Sequence, residues 1–162
     1  MALESEQEFA TEVAAPLQQC FATITAFEDY PQWFSTVERS SVRDRHPDGL
    51  AKRVELHVDM KLKTIRYVLE YHYKKPTRLT WKAVEGDIEA IEGVYEFEKL
   101  GAVRTRVTCR QAVSLGFWVP GPLLRVIERQ ALKQSVLEFK AAAERAHKAA
   151  QPPKSRRRPA AR

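Results

Sequence analysis

The spacing of apolar residues along the chain changes its period twice. Residues 6–13 alternate weakly between polar and apolar positions, which predicts a first strand. Apolar residues then recur at helical spacing over residues 17–24, and Pro16 suits the first position of that helix because a proline there loses no hydrogen bond. A second short helix is expected over residues 28–34, where an acidic pair opens the segment.

From residue 37 to about residue 114 the period is two, which predicts about six strands. Each has one apolar and one charged face, so together they describe an antiparallel sheet with one wet side. The apolar side needs a cover, and the chain supplies one at its end. A proline- and glycine-rich loop over residues 114–122 leads into a long helix with an apolar stripe from Leu124 to Ala143. The predicted fold is α+β, in the order β-α-α-β(about six)-α.

Aromatic side chains are concentrated on the inferred inward face of this sheet. A buried tyrosine or tryptophan needs a partner for its polar tip, so several together favour a ligand-filled or wet space over a dry core. The alternative is that they fill the gap between sheet and helix. Gln111, also inward, is a candidate polar anchor, because a mostly apolar pocket typically holds a few placed polar groups. The inward aromatic residues are Tyr67, Tyr71, Trp81, Tyr95 and Phe97.

The cysteine, histidine and acidic residues of the chain do not fall in patterns that are typical of catalytic sites. Cys20 and Cys109 fall on apolar faces, whereas a reactive thiolate needs an electropositive and partly exposed setting. The four histidines have no metal-ligand spacing, and no glycine-rich phosphate loop occurs, so no catalytic residue, metal or cofactor is predicted. Carboxylates over residues 87–98 fall mainly on the polar face, where cross-strand pairing with arginines accounts for them. Glu92 is the exception, because a bulge near it would turn it inward as an acid or anchor.

The charge of the chain is unevenly distributed. The 162 residues carry a net charge of +6, and five of the 27 Lys and Arg residues lie in residues 150–162 with three prolines and no acid. Such a segment predicts a disordered tail after one domain, residues 1–149, that is almost neutral. The tail is either a solvated end or a handle for anionic membrane or RNA. No run of 18 apolar residues and no signal-peptide core occur, so a cytoplasmic location is expected.

Two large aromatic residues, Phe117 and Trp118, lie in the loop before the long helix. Exposed residues of this kind are unusual unless they serve a contact. Four roles stay open for them: plugging the mouth of a cavity, dipping into a membrane, packing against a twin subunit to form a homodimer, or packing under the long helix.

Short sequence motifs resemble the START-like helix-grip superfamily, also called SRPBCC. The hexapeptide EDYPQW at residues 28–33 resembles the D-Y-P-x-W/F segment that follows the first helix in that superfamily. LTW at residues 79–81, GDI at 86–88 and EGVYEF at 92–97 resemble its fifth and sixth strands. The resemblance spans roughly residues 5–147. The most similar branches are the polyketide cyclase/dehydrase and lipid-transport group and the coenzyme Q-binding START-like proteins.

This resemblance implies an antiparallel sheet wrapped around a long C-terminal helix, with a cavity between them for an apolar ligand. The expected function is binding or transport of a lipid, quinone or polyketide-like molecule, more as a carrier than as an enzyme. One alternative is a polyketide cyclase or dehydratase in which a tyrosine, Glu92 or Gln111 moves protons. Another is a START-like regulatory interaction protein that uses the basic tail. Besides the inward aromatics, Glu92 and Gln111, the expected ligand contacts are Ile127 and Ala131, with Trp33, Phe34, Phe117 and Trp118 at the mouth.

Overall fold

In the part of the chain that the structure describes, seven strands and three helices follow one another in the predicted order. The computed structural model describes residues 6–61, 63–116 and 118–151. A single 3₁₀ turn, Phe27–Asp29, precedes the second helix. The elements are β1 (Glu6–Val13), α1 (Leu17–Thr25), α2 (Tyr30–Trp33), β2 (Val37–Arg45), β3 (Ala51–Asp59), β4 (Thr64–Lys74), β5 (Arg78–Gly86), β6 (Ala90–Gly101), β7 (Arg104–Ser114) and α3 (Gly121–Ala150).

Two boundaries near the N-terminus differ from those predicted. Pro16 is extended, with φ −62° and ψ 152°, and its carbonyl accepts the backbone N–H of Cys20, so it caps α1 instead of opening it. The second predicted helix is divided in two. The acidic pair lies in the 3₁₀ turn, and α2 begins only after it. Pro122 lies in the first turn of α3 as expected.

One sheet contains all seven strands in the order β1-β7-β6-β5-β4-β3-β2. Every neighbouring pair is antiparallel, and β1 pairs with β7, so the two ends of the strand series meet. The inward face is apolar and the outward face carries the charges, as the period of two predicts. This sheet and the long helix after it form the helix-grip fold.

Helix α3 packs on the inward face mainly through its C-terminal half. Its buried side chains begin at Leu132, and Phe139 is fully buried between the rings of Tyr95 and Phe97, with centroids 5.6 and 6.0 Å away. Lys140 Nζ donates to the Glu12 carbonyl at 2.7 Å, which holds α3 to β1. The helix is therefore anchored at its C-terminal end, away from the loop over residues 114–122 that precedes it.

The C-terminal end of α3 is where the predicted tail begins. Ala150 is the last helical residue, and residues 152–162 lie outside the described residues. Within the described ranges, no helix is both long and apolar enough to cross a membrane.

Candidate ligand cavity

A cavity of about 220 Å³ lies between the inward face of the sheet and α3. Its wall is mainly apolar. An apolar cavity of about 150 Å³ accommodates benzene, so this one has room for a ligand larger than a single ring. That its wall residues bind a ligand stays a prediction. Eight of the predicted ligand contacts line it: Phe34, Tyr67, Tyr71, Trp81, Tyr95, Gln111, Ile127 and Ala131.

One row of register partners crosses the sheet beneath the cavity. It runs from Tyr71 on β4 through Trp81, Gly93 and Gln111 to Gln7 on β1. All point inward because residues paired in register share a face of the sheet. The row therefore has two aromatic residues at one end and two glutamines at the other. Gly93, which has no side chain, lies between them.

The missing side chain at Gly93 makes room for the Trp81 indole. A Cβ at Gly93 would lie 2.2 Å from two atoms of the indole ring, which is far inside van der Waals contact. Lying across this position, the indole Nε1 donates to Gln111 Oε1 at 3.0 Å. This hydrogen bond satisfies the buried N–H and leaves the Gln111 amide group as a donor.

The hydroxyls of Tyr67 and Tyr71 make no hydrogen bond among the described residues, and the buried Tyr95 hydroxyl interacts only with the Cys109 thiol and Ser135, without a hydrogen bond of normal geometry. Two other tyrosines differ. Tyr30 donates to the Ile24 carbonyl, and Tyr73 donates to the Ala51 carbonyl at 2.6 Å. A buried hydroxyl without a good partner costs about 1–3 kcal/mol, which applies to Tyr95, and a ligand oxygen would satisfy it together with the open hydroxyls of Tyr67 and Tyr71.

Burial keeps the cavity hydroxyls neutral. It raises the pKa of Tyr71 and Tyr95 well above 10, and that of Tyr67 in the same direction, because the charged phenolate would be desolvated. The Cys109 thiol and the neighbouring Tyr71 add to the rise in the pKa of Tyr95. Burial likewise raises the pKa of Cys109, which lines the cavity. At neutral pH these groups are hydrogen-bond donors and neither bases nor nucleophiles.

Glu128 was missed at the sequence level. It lines the cavity from α3, and among the described wall residues it is the only one with a carboxylate or a basic side chain. The signal was its position four residues after Leu124 and four before Leu132, which places it on the apolar stripe. Gln7 was also missed, because its place at the floor depends on the pairing of the first strand with the last.

The expectation that Glu92 turns inward is wrong. The pairing of β6 with β7 runs without a bulge through Glu92, which faces Ala112 in register. Regular alternation then points Glu92 to the outer face, where it is exposed. It cannot act as an acid or anchor in the cavity.

Three other predicted contacts lie away from the wall. Phe97 points inward but is packed on Tyr95 and Phe139, so it belongs to the core. Trp33 stacks on Phe34 at 4.5 Å between ring centroids, which leaves Phe34 to form the wall. Trp118 is 85% exposed and outside the wall, and Phe117 lies outside the described residues.

Comparison with known proteins shows the same fold and one family. The sequence profile of the family described as "Polyketide cyclase / dehydrase and lipid transport" matches residues 13–140. A START superfamily protein from Mycobacterium smegmatis is 20% identical, with a TM-score of 0.81 over 87% of this chain and 98% of that one. The Zhui aromatase/cyclase from Streptomyces sp. R1128 is 16% identical, with a TM-score of 0.75 over 87% and 94% of the two chains. No curated protein sequence matches the chain.

Proposed function

The chain belongs to the polyketide cyclase/dehydrase and lipid transport family, and from that premise we propose that it binds and carries a hydrophobic small molecule in the cavity beneath α3. The observation that carries the proposal is the composition of the wall. Apolar side chains surround three neutral hydroxyl donors: within the described part of the chain those of Tyr67 and Tyr71 make no hydrogen bond, and that of Tyr95 has only Cys109 and Ser135 as weak partners. Burial of apolar ligand surface supplies affinity, at roughly 25 cal/mol per Å² before ordering costs.

The donors favour a ligand that carries oxygen. Tyr67, Tyr71 and Tyr95 offer O–H groups, and Gln111 offers an amide N–H. A ketone, quinone or phenol oxygen accepts such bonds, whereas a plain acyl chain leaves the hydroxyls unsatisfied. Of the three ligand kinds expected from the sequence, a quinone or a polyketide-like ring system therefore fits this wall better than a simple lipid chain.

A cyclase or dehydratase is the second candidate function. It is favoured by the description of the family and by the carboxylate of Glu128 in the wall, which takes the place of Glu92 as the carboxylate that could move protons. One relative of the same fold is an aromatase/cyclase. The tyrosines hydrogen-bond to a substrate carbonyl in this scheme, because their raised pKa opposes giving up a proton.

Two further expectations concern partners and location. The basic tail as a handle for membrane or RNA falls outside the described residues, and the homodimer and the cytoplasmic location stay predictions as well. A regulatory protein that acts through the tail would need no occupied cavity. The first experiment is therefore the detection of a ligand.

Native mass spectrometry of the purified full-length chain should show a retained small molecule, which is then identified by its mass. Two probes that share a ring system, 1-tetralone and tetralin, test the role of oxygen, since only the first has a carbonyl. We expect 1-tetralone to bind about tenfold more tightly, by calorimetry or tryptophan fluorescence. If no small molecule is retained and neither probe binds, the proposed carrier function is contradicted.

Matched tyrosine substitutions locate the effect. Tyr71→Phe and Tyr95→Phe should remove the preference for 1-tetralone and leave tetralin binding unchanged. Tyr73→Phe is the control, because its hydroxyl is on the same strand as Tyr71 but bonds to the Ala51 carbonyl. With a polyketide substrate, loss of turnover in Glu128→Gln without loss of binding would favour the cyclase.

A further inference from the structure

Exposed apolar side chains are concentrated around the start of α3. Among the described residues seven large apolar side chains are exposed, and five of them lie between residues 118 and 137. Trp118 is 85% exposed, and Leu123 and Val126 are each 52% exposed. Apolar patches of this kind mark contact sites on soluble domains. We call the group of Trp118, Leu123, Val126 and Ile127 the apolar ridge.

A row of cations runs beside this ridge. Arg125, Arg129 and Lys133 are spaced four residues apart, so they share one edge of the helix next to Val126. All three are exposed, and none has an ion-pair partner among the described residues. The three acids of α3 face elsewhere: Glu128 lines the cavity, Glu138 accepts hydrogen bonds from Ser35, and Glu144 pairs with Lys140 at 3.0 Å.

An apolar ridge with a cationic edge has the chemistry of a helix that lies in the interface of an anionic membrane. Tryptophan is the residue type enriched at such interfaces, and arginine and lysine pair with acidic headgroups. A second copy of the chain fits less well. A two-fold contact through this face would bring the cations of one copy against those of the other.

We propose that the apolar ridge and its cationic edge dock the N-terminal half of α3 on an anionic lipid surface. Ile127 belongs both to the ridge and to the cavity wall, so docking places the cavity beside the bilayer. The proposal rests on this surface and not on the ligand function. It stands if the cavity proves to hold nothing.

The test is cosedimentation of the full-length protein with phosphatidylcholine vesicles, with and without phosphatidylglycerol. We expect binding only to the anionic vesicles, falling as salt is added, together with a blue shift of tryptophan emission. Arg125→Gln with Arg129→Gln should weaken partitioning about thirtyfold, and Trp118→Ala with Leu123→Gln should abolish the blue shift. Equal binding to neutral and anionic vesicles, or binding to neither, would overturn the proposal.

Matched variants distinguish the ridge from the other apolar and basic parts of the chain. Val84→Gln and Val103→Gln remove exposed apolar side chains elsewhere, and both should bind vesicles as the parent does. Neutralising Arg156, Arg157 and Arg158 to glutamine tests the tail, and binding lost there but kept in the ridge variants would overturn the ridge. A dimer that the ridge substitutions dissociate, seen by analytical ultracentrifugation, would assign the surface to a second copy instead. Circular dichroism of each variant checks that it is folded.

Discussion

The two halves of α3 share one helix but have opposite surroundings. Every buried side chain of α3 lies in residues 132–150, where Phe139 packs on Tyr95 and Phe97 of β6. In residues 121–131 the helix exposes Leu123, Val126 and Ile127 and forms only one side of a cavity. The first half is therefore largely exposed, and the second is packed in the core.

This difference shows that an apolar stripe on a helix does not by itself report burial. Ile127 and Phe139 both lie on the stripe that the sequence predicts, yet Ile127 is 45% exposed and Phe139 is fully buried. Only the C-terminal part of the stripe, from Leu132 onward, is buried. The comparison can be sharpened by substitutions that should affect stability in one half and binding in the other.

The largest effect is expected in the buried half. Phe139→Ala removes a ring that contacts Tyr95 and Phe97, and the resulting cavity should lower the free energy of unfolding by about 3–5 kcal/mol. Urea denaturation followed by circular dichroism measures it. Ile127→Ala in the other half is the matched variant and should cost less than about 1 kcal/mol. Similar losses in the two variants would mean that the halves do not differ.

The next effect concerns the floor of the cavity. Gly93→Ala puts a Cβ into the space of the Trp81 indole and should destabilise the protein by about 1–3 kcal/mol, because the ring must leave its hydrogen bond to Gln111. Trp81→Phe should remove most of that penalty in the double variant, which a double-mutant cycle measures. Gly121→Ala is the control, since nothing lies within 4 Å of the added atom. If the two substitutions lower the free energy of unfolding additively, the contact between position 93 and the Trp81 indole is contradicted.

A smaller effect is expected from pH at Cys20, which is buried on α1 and interacts with Glu144 in the buried half of α3. Burial raises the pKa of the Cys20 thiol from 9.0 to about 11, so the unfolded chain loses this proton first. Stability from the thiol is complete below pH 9 and declines as the pH rises toward 11. At pH 10 the Cys20 thiol should cost about 1 kcal/mol, so the parent chain should lose that much more stability than Cys20→Ala, in which Cys109 and the buried tyrosines still titrate. Urea midpoints at pH 8 and pH 10 measure it, and equal slopes for the two proteins would contradict it.

The smallest effect is expected on the exposed ridge. Leu123→Gln and Val126→Gln should each change the free energy of unfolding by less than about 0.5 kcal/mol, because both side chains are already more than half in water. Urea denaturation measures this as well. A loss above about 1 kcal/mol would show that this half of the helix is packed in solution and would remove the contrast between the halves.

The alternation of apolar and polar residues was sufficient to predict the strands and the face on which each side chain lies. Tyr67, Tyr71, Trp81 and Tyr95 all point inward as predicted, because a period of two fixes the face of each side chain. It does not report depth, so Phe97 on the same face belongs to the core and not to the wall.

The remaining errors have other physical causes. Glu92 was expected at a bulge, but where a strand bulges depends on its partner strand, and the pairing here is regular. Gln7 reaches the floor only because β1 pairs with β7, a contact between the ends of the sheet that no local pattern reports. The burial of α3 depends in the same way on distant strands.

The placement of the three tryptophans has a spectroscopic consequence. Trp81 lies in the cavity floor and is hydrogen-bonded to Gln111, Trp33 is stacked on Phe34, and Trp118 is almost fully in water. Each side chain therefore has its own polarity and its own access to a soluble quencher. Single-tryptophan versions of the chain would report separately on cavity filling, on the α2 segment and on the ridge, without any added label.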